Sequence, residues 1–237
     1  MFEPPSQLKK ENNSRGHKIL VEITNGFSQD QKDAITAAGF GSLLKLKELE
    51  IRRDLCKDIA CCFDLDTEEF IINGKRLKLS MKDGQHILGL PSQGDKIKEP
   101  PQKHVPGLFQ KYTWKDDTKI SSKSLREFFN KNSSYGDDFI RIFVLYTIGF
   151  YLCPTLQPYD YLGLIENVES IKNLNWTSLA FNFLIASIRE YRVAKAANLK
   201  GNLVLLQNNH WYLAVLNGSM LLNRYLTQWV PAAVVLN

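Results

Sequence analysis

Cysteine is scarce in this chain, with four in 237 residues, and that scarcity excludes a fold built on disulfides. Cys56, Cys61 and Cys62 crowd one segment and Cys153 stands apart. A secreted disulfide framework uses more thiols, spread more evenly. The vicinal pair Cys61–Cys62 cannot close on itself without strain. A reducing compartment, nuclear or cytoplasmic, is the expected location. Long apolar runs are lacking as well. The most hydrophobic stretch, 139–153, contains Arg141 and falls short of the roughly 18–20 residues of a membrane span. It predicts a buried helix and no membrane partner. Residues 1–18 are polar and have no apolar core of the kind a secretory leader needs. Nor is there a strong excess of charge: 30 Lys and Arg against 25 Asp and Glu leave +5. A balance of that size permits nucleic-acid contact, and it equally describes a solvated, slightly basic surface.

Catalytic groupings are lacking too. Cys56 and Cys61 lie five apart with no second ligand pair at zinc spacing, and His86, His104 and His210 are scattered, so no metal is expected. The acidic pairs Glu68–Glu69, Asp116–Asp117 and Asp137–Asp138 are sequence neighbours, which diverge by about 100° on a helix and do not converge on one substrate. Asp137 and Asp138 instead suit the first turn of the following helix. Gly39-Phe40-Gly41 lacks the Lys-Ser/Thr and preceding strand of a phosphate loop, and reads as a tight turn that inserts Phe40 into the core.

What is present is mainly helical. Ser28 can cap a helix over 29–38, stopped by a left-handed Gly39. Leu55, Ile59 and Cys62 recur at helical spacing and predict a helix over 52–63. The period then changes. Glu69-Phe70-Ile71-Ile72 runs into Asn73-Gly74, a strong hairpin signal, and Leu77 and Leu79 alternate on the return strand. Ser80 caps a short helix that ends at Gly89-Leu90-Pro91. Further helices are expected over 122–130, 137–152, 159–166 and 176–196, broken by Pro154 and Pro158. The expected fold is a single mainly α domain with one small β-hairpin at 69–79. Residues 1–24 are expected to be a flexible tail, 25–207 the domain, and 92–121 a long loop marked by Pro100, Pro101 and Pro106. From Ala197 to Asn237 the charges are Lys200 and Arg224. Residues 208–237 therefore read as an apolar segment that is buried, forms a partner interface, or belongs to something longer.

Two resemblances follow from particular residues. Asn209-His210-Trp211-Tyr212-Leu213-Ala214-Val215 resembles the histidine strand of the SUMO-type cysteine proteases. That chemistry needs a downstream acid and then a thiol. No Asp or Glu follows Glu190 and no Cys follows Cys153. The second resemblance is longer. Gly39-Phe40-Gly41-Ser42-Leu43-Leu44, the hairpin around Asn73-Gly74, and Leu79-Ser80-Met81-Lys82-Asp83 leading to His86-Ile87-Leu88-Gly89-Leu90-Pro91 follow one another. Phe143-Val144-Leu145-Tyr146, Leu152-Cys153-Pro154-Thr155, Asn175-Trp176 with Phe183-Leu184 and Ile188-Arg189, and Gly201 to Gln207 come after them. In that order they resemble the plant mobile domain, also called the aminotransferase-like plant mobile domain.

The resemblance implies a transposon-derived module of a family linked to silencing, genome integrity and meristem maintenance, with no catalytic residues to carry over. No lysine, phosphate cup and acid partner for a pyridoxal cofactor can be placed, and no cofactor is expected. The expected function is non-catalytic: binding of protein partners and, through a lysine-rich stretch, nucleic acid. That stretch carries Lys96, Lys98, Lys103, Lys111, Lys115, Lys119, Lys123 and Arg126, with Tyr112 and Trp114 available to stack on bases. The alternatives are a solvated loop pinned by two aromatics and, for the whole chain, a truncated remnant of a SUMO-type protease fusion.

Overall fold

A computed structural model of the chain describes residues 12–97, 105–113, 120–131, 134–154, 158–194 and 196–208. Among them are nine α-helices: α1 (Asn12–Asn25), α2 (Gln29–Ala37), α3 (Arg53–Cys61), α4 (Met81–Leu88), α5 (Pro106–Tyr112), α6 (Ser122–Lys131), α7 (Asp137–Tyr146), α8 (Trp176–Val193) and α9 (Val204–Gln207). Three short strands, β1 (Phe63–Asp64), β2 (Glu69–Ile72) and β3 (Lys75–Leu77), form one antiparallel sheet in that order. The mainly α expectation and the hairpin hold.

The core is organised around α7. Every residue from Ile142 to Gly149 is buried, so this segment is apolar all round, as a central helix must be. α1, α2, α6 and the 3₁₀ turns Pro158–Leu164 and Val168–Asn173 pack on it or on its continuation. That continuation, Thr147–Leu152, winds as a π-helix and closes with Cys153 N–H donating to Ile148 O at 2.9 Å. Phe27 meets Phe139 edge-on at 5.0 Å, Phe40 meets Phe143 at 6.1 Å, and Trp176 lies 5.4 Å from Phe40. Offset and edge contacts of this kind add to the area term of burying large rings. A second group, α3, α4, α8 and α9, packs beside the first, and the sheet leans on α3.

Several sequence signals appear as local structure. Ser28 and Gln31 form a reciprocal capping box at α2, and Ser80 and Asp83 form another at α4. Gly39 takes a φ of 91° and Phe40 is fully buried. Asn73 and Gly74 both have positive φ, the geometry of a two-residue hairpin turn.

Three expectations need correction. Residues 12–24 are not a flexible tail but most of α1. His17, Leu20, Val21 and Thr24 are buried at i, i+3, i+4 and i+7, a stripe short enough to be masked by its polar flanks. The loop 92–121 contains α5, because Pro106 occupies the first helical turn, where its missing N–H costs nothing. The 159–166 helix is a 3₁₀ turn over Pro158–Leu164. Residues 208–237 lie outside the described residues except Asn208.

Gly16 tests the docking of α1. A Cβ there would fall 1.8 Å from the Phe150 carbonyl oxygen. Gly16→Ala is expected to destabilise the domain by about 2 kcal/mol or more, because the obstacle is main chain. Chemical denaturation checks this: an unchanged midpoint would mean that α1 does not contribute to the cooperative unit.

Candidate functional site

Three of the motifs of the longer resemblance, at 39–42, 86–91 and 175–176, meet at one seam. Gly89 ends α4 in the left-handed conformation, its N–H donating to Gln85 O at 2.7 Å. The chain then runs extended through Leu90, Pro91 and Ser92 beside residues 171–177. Thr177 donates twice, from N–H to Pro91 O and from Oγ1 to Leu90 O, each at 3.0 Å. Asn175 Nδ2 donates to Ser92 O at 2.7 Å, while its Oδ1 accepts Ser178 N–H and caps α8. Asp95 N–H donates to Asn173 O at 2.8 Å and Asn175 N–H to Asp95 O at 3.0 Å, a parallel bridge. Gly94 sits at φ 105°, where a Cβ would meet Asn173 O at 2.1 Å.

Trp176 completes the seam. Its Nε1 donates to Ile171 O at 2.9 Å and its ring is fully buried against Phe40. Ser42 Oγ donates to Leu88 O at 3.4 Å, which brings in the Gly39-Phe40-Gly41 turn. Thr177 is the member that the sequence did not single out; its place two residues after Asn175 was the available signal. These side chains are neutral and their bonds end on main-chain carbonyls. The seam positions backbone and moves no proton.

The described members of the lysine-rich stretch sit on three different elements. Lys96 is exposed on the seam strand, next to Asp95. Lys123 and Arg126 are exposed on α6, three residues apart and so on one face. Lys111 is exposed but ion-paired with Asp138. Tyr112 is corrected: it is 4% exposed and its hydroxyl donates to Asp138 Oδ1 at 2.7 Å. Its ring meets Phe128 edge-on at 6.4 Å, so it has no free face to offer a base. Lys98, Lys103, Trp114, Lys115 and Lys119 lie outside the described residues.

Asp138 is therefore a hub. It binds Lys111 and Tyr112 of α5 and Arg141 one turn along α7. Arg141 donates onward to the carbonyls of Ile165 at 3.0 Å and Glu166 at 2.9 Å. Burial pushes the Asp138 carboxyl up, but the bonds from Lys111 and Tyr112 and the charges of Lys111 and Arg141 outweigh it and hold it below the usual range. Burial, then the bond and charge of Asp138, push the Tyr112 phenol well up.

Of the four thiols Cys61 is exposed, and the other three are turned inward. Cys56 is fully buried, its Sγ donates to Leu203 O, and burial pushes it up to about 12. Cys153 is buried with its Sγ toward Leu179 O. Burial also raises Cys62, whose Sγ donates to Asp58 O. His17 is buried beside Tyr151, with ring centroids 5.7 Å apart. Its Nε2 donates to Lys47 O at 2.8 Å, and burial favours its neutral form. Among the described residues no three His, Cys, Asp or Glu side chains are grouped to hold a metal, and no helix is long and apolar enough to cross a membrane. His104, His210 and Trp211 lie outside the described residues.

The chain belongs to the family described as a domain of unknown function (DUF8566), whose profile matches residues 16–207. The match starts inside α1 and ends on the last residue of α9, so α1 is part of the family domain. No curated protein and no solved structure matches the chain.

Thr177→Val keeps the shape of the side chain and strands the Leu90 carbonyl. It is expected to cost about 1–3 kcal/mol, read as a lowered denaturation midpoint, and an unchanged midpoint would remove the seam from the stabilising contacts. Asp138 carries a pH signature. A carboxylate held low contributes stability that is complete above the ordinary carboxylate range and is lost as pH falls from that range through the lowered native value. Asp138→Asn should lower stability at neutral pH by about 1 kcal/mol, discounted for its partial exposure. It should also flatten the acid limb of the stability curve; an acid limb identical to the parent's would show that the hub adds nothing.

Proposed function

We propose that this chain is a non-catalytic interaction module that binds protein partners and, through exposed cations of the 92–126 stretch, nucleic acid. The observation that carries the reading is the use of the motif side chains. Ser42, Asn175 and Trp176 of the motifs, and Thr177 beside them, all donate into main-chain carbonyls, so these side chains hold a scaffold. Cys56 and Cys153 are buried, and the Cys56 thiol, raised by burial, is a poor nucleophile, whereas Cys61 is exposed. Recognition is then the work of the surface.

On this reading the module derives from a transposon, as plant mobile domains do, and acts in the nucleus or cytoplasm in processes such as silencing, genome integrity or meristem maintenance. The basis is the ordered resemblance of 25–207 to that family; three of its pieces, 39–42, 86–91 and 175–176, lie along the seam. Lys96, Lys123 and Arg126 are the described cations left to meet phosphate once Lys111 is engaged by Asp138.

Fluorescence anisotropy with labelled 20-nucleotide single- and double-stranded DNA tests the nucleic-acid arm. Affinity should fall steeply as salt rises from about 50 to about 200 mM. The double variant Lys123→Glu/Arg126→Glu should weaken binding across sequences and reduce the salt slope by roughly one per lost contact. Binding that ignores salt, or none at low salt, rejects nucleic acid as a partner.

A further inference from the structure

We propose that the edge of β3 that no described strand pairs with is a docking strand for an extended acidic polypeptide segment. The proposal deepens the interaction-module reading, on which it rests, by naming the chemistry of a protein partner and the surface that takes it.

The main-chain geometry comes first. β3 is the outer strand of the sheet, and the register pairs Ile72 with Lys75, Ile71 with Arg76 and Phe70 with Leu77. Ile71 N–H donates to Cys62 O at 2.8 Å, on the β1 side. Ile71 and Arg76 are therefore a non-hydrogen-bonded pair of the β2–β3 ladder, and in such a pair each residue turns its N–H and C=O away from the other. The main-chain groups of Arg76 consequently point off the open side of the sheet, as an incoming strand requires.

The side chains then select the partner. Phe70, Ile72 and Leu79 are buried, whereas Ile71 is 38% exposed and Arg76 is exposed opposite it. Lys75, Arg76, Lys78 and Lys82 are all exposed, and no Asp or Glu lies between Asn73 and Lys82. Arg76 shares its charge with Glu69 at 3.2 Å. Lys75, Lys78 and Lys82 form no ion pair with another described residue. Lysine on an edge repels a second copy of the same edge, because like charges would face each other across the new ladder. A strand with carboxylates at alternate positions reverses that sign: Arg76 and Lys78 project on one face about 7 Å apart, the repeat of alternate residues in a partner strand. A phosphate backbone would match the charge, but it has no donor for the Arg76 carbonyl.

The test uses the full chain and a fluorescein-labelled octapeptide of alternating threonine and glutamate, with the threonine–lysine octapeptide as control, by anisotropy at low salt. The glutamate peptide should bind and the lysine peptide should not. Lys75→Gln/Lys78→Gln/Lys82→Gln should weaken binding by roughly tenfold. Arg76→Pro removes the outward N–H and should weaken binding several-fold beyond Arg76→Gln, since proline is tolerated where an edge N–H faces solvent. Amide shifts in the unmodified chain give a readout independent of variant folding, with Arg76 perturbed more than Leu77. Equal binding of the two peptides, equal losses for Arg76→Pro and Arg76→Gln, or displacement by octathymidylate as effective as unlabelled glutamate peptide would each overturn strand docking. Because Lys123 and Arg126 lie on α6, away from the hairpin in the chain, a failure here is distinguishable from a failure of the nucleic-acid reading.

Discussion

Leu90 and Pro91 leave α4 with carbonyls that no helix or ladder can satisfy, and Thr177 satisfies both. A buried carbonyl without a donor costs as much as a lost hydrogen bond, so an extended segment can cross an interior only beside a donor set fixed in space. The first turn of α8 is that set. Its unpaired N–H groups, its Asn175 cap and the Thr177 hydroxyl all lie at a helix end, where donors are in surplus. Because α8 also presents Trp176 to Phe40, and Phe40 touches Phe143 of the central helix, the polar seam and the aromatic core fix the same elements.

The Asp138–Arg141 pair does on the other side of α7 what the seam does here. Arg141 reaches the carbonyls of Ile165 and Glu166, just past a 3₁₀ turn, and Asp138 takes Lys111 and Tyr112 of α5. In both places side chains of one helix hold a neighbouring stretch of chain, once with neutral donors and once with charge. The charged anchor is partly exposed, so it responds to salt and acid; the neutral one does not.

Much of this was legible in the sequence, for physical reasons that differ by element. α2, α4 and the hairpin carry local chemistry: a capping side chain three residues before its partner, a glycine at the stop, an Asn-Gly turn. α7 was legible because its apolar run is too long for a strand and too short for a membrane. α1 is hard to see in the sequence because its apolar residues are confined to 19–23, next to the polar 9–18, and it gains its stability from docking, with Gly16 allowing the backbone to approach Phe150. Tyr112 was read as a stacking platform because composition shows an aromatic among lysines; it cannot show that Asp138, 26 residues on, takes its hydroxyl. The hairpin cations passed unremarked because β-edge status depends on sheet order, which no single-strand pattern encodes.

The cationic surfaces differ in what stands behind the charge. On α6 the main-chain carbonyls of this region are consumed within the helix, and Lys123 in the first turn adds free N–H groups to the charge of Arg126. Cations and donors without outward acceptors suit a ligand that is itself a regular row of negative charges, which is a phosphate backbone. On β3 the cations flank main-chain donors and acceptors directed outward, and only a polypeptide carries the complementary alternation. A scaffold whose motif side chains are committed inward can thus present two kinds of recognition on separate elements, with the backbone state of each element deciding which ligand it fits.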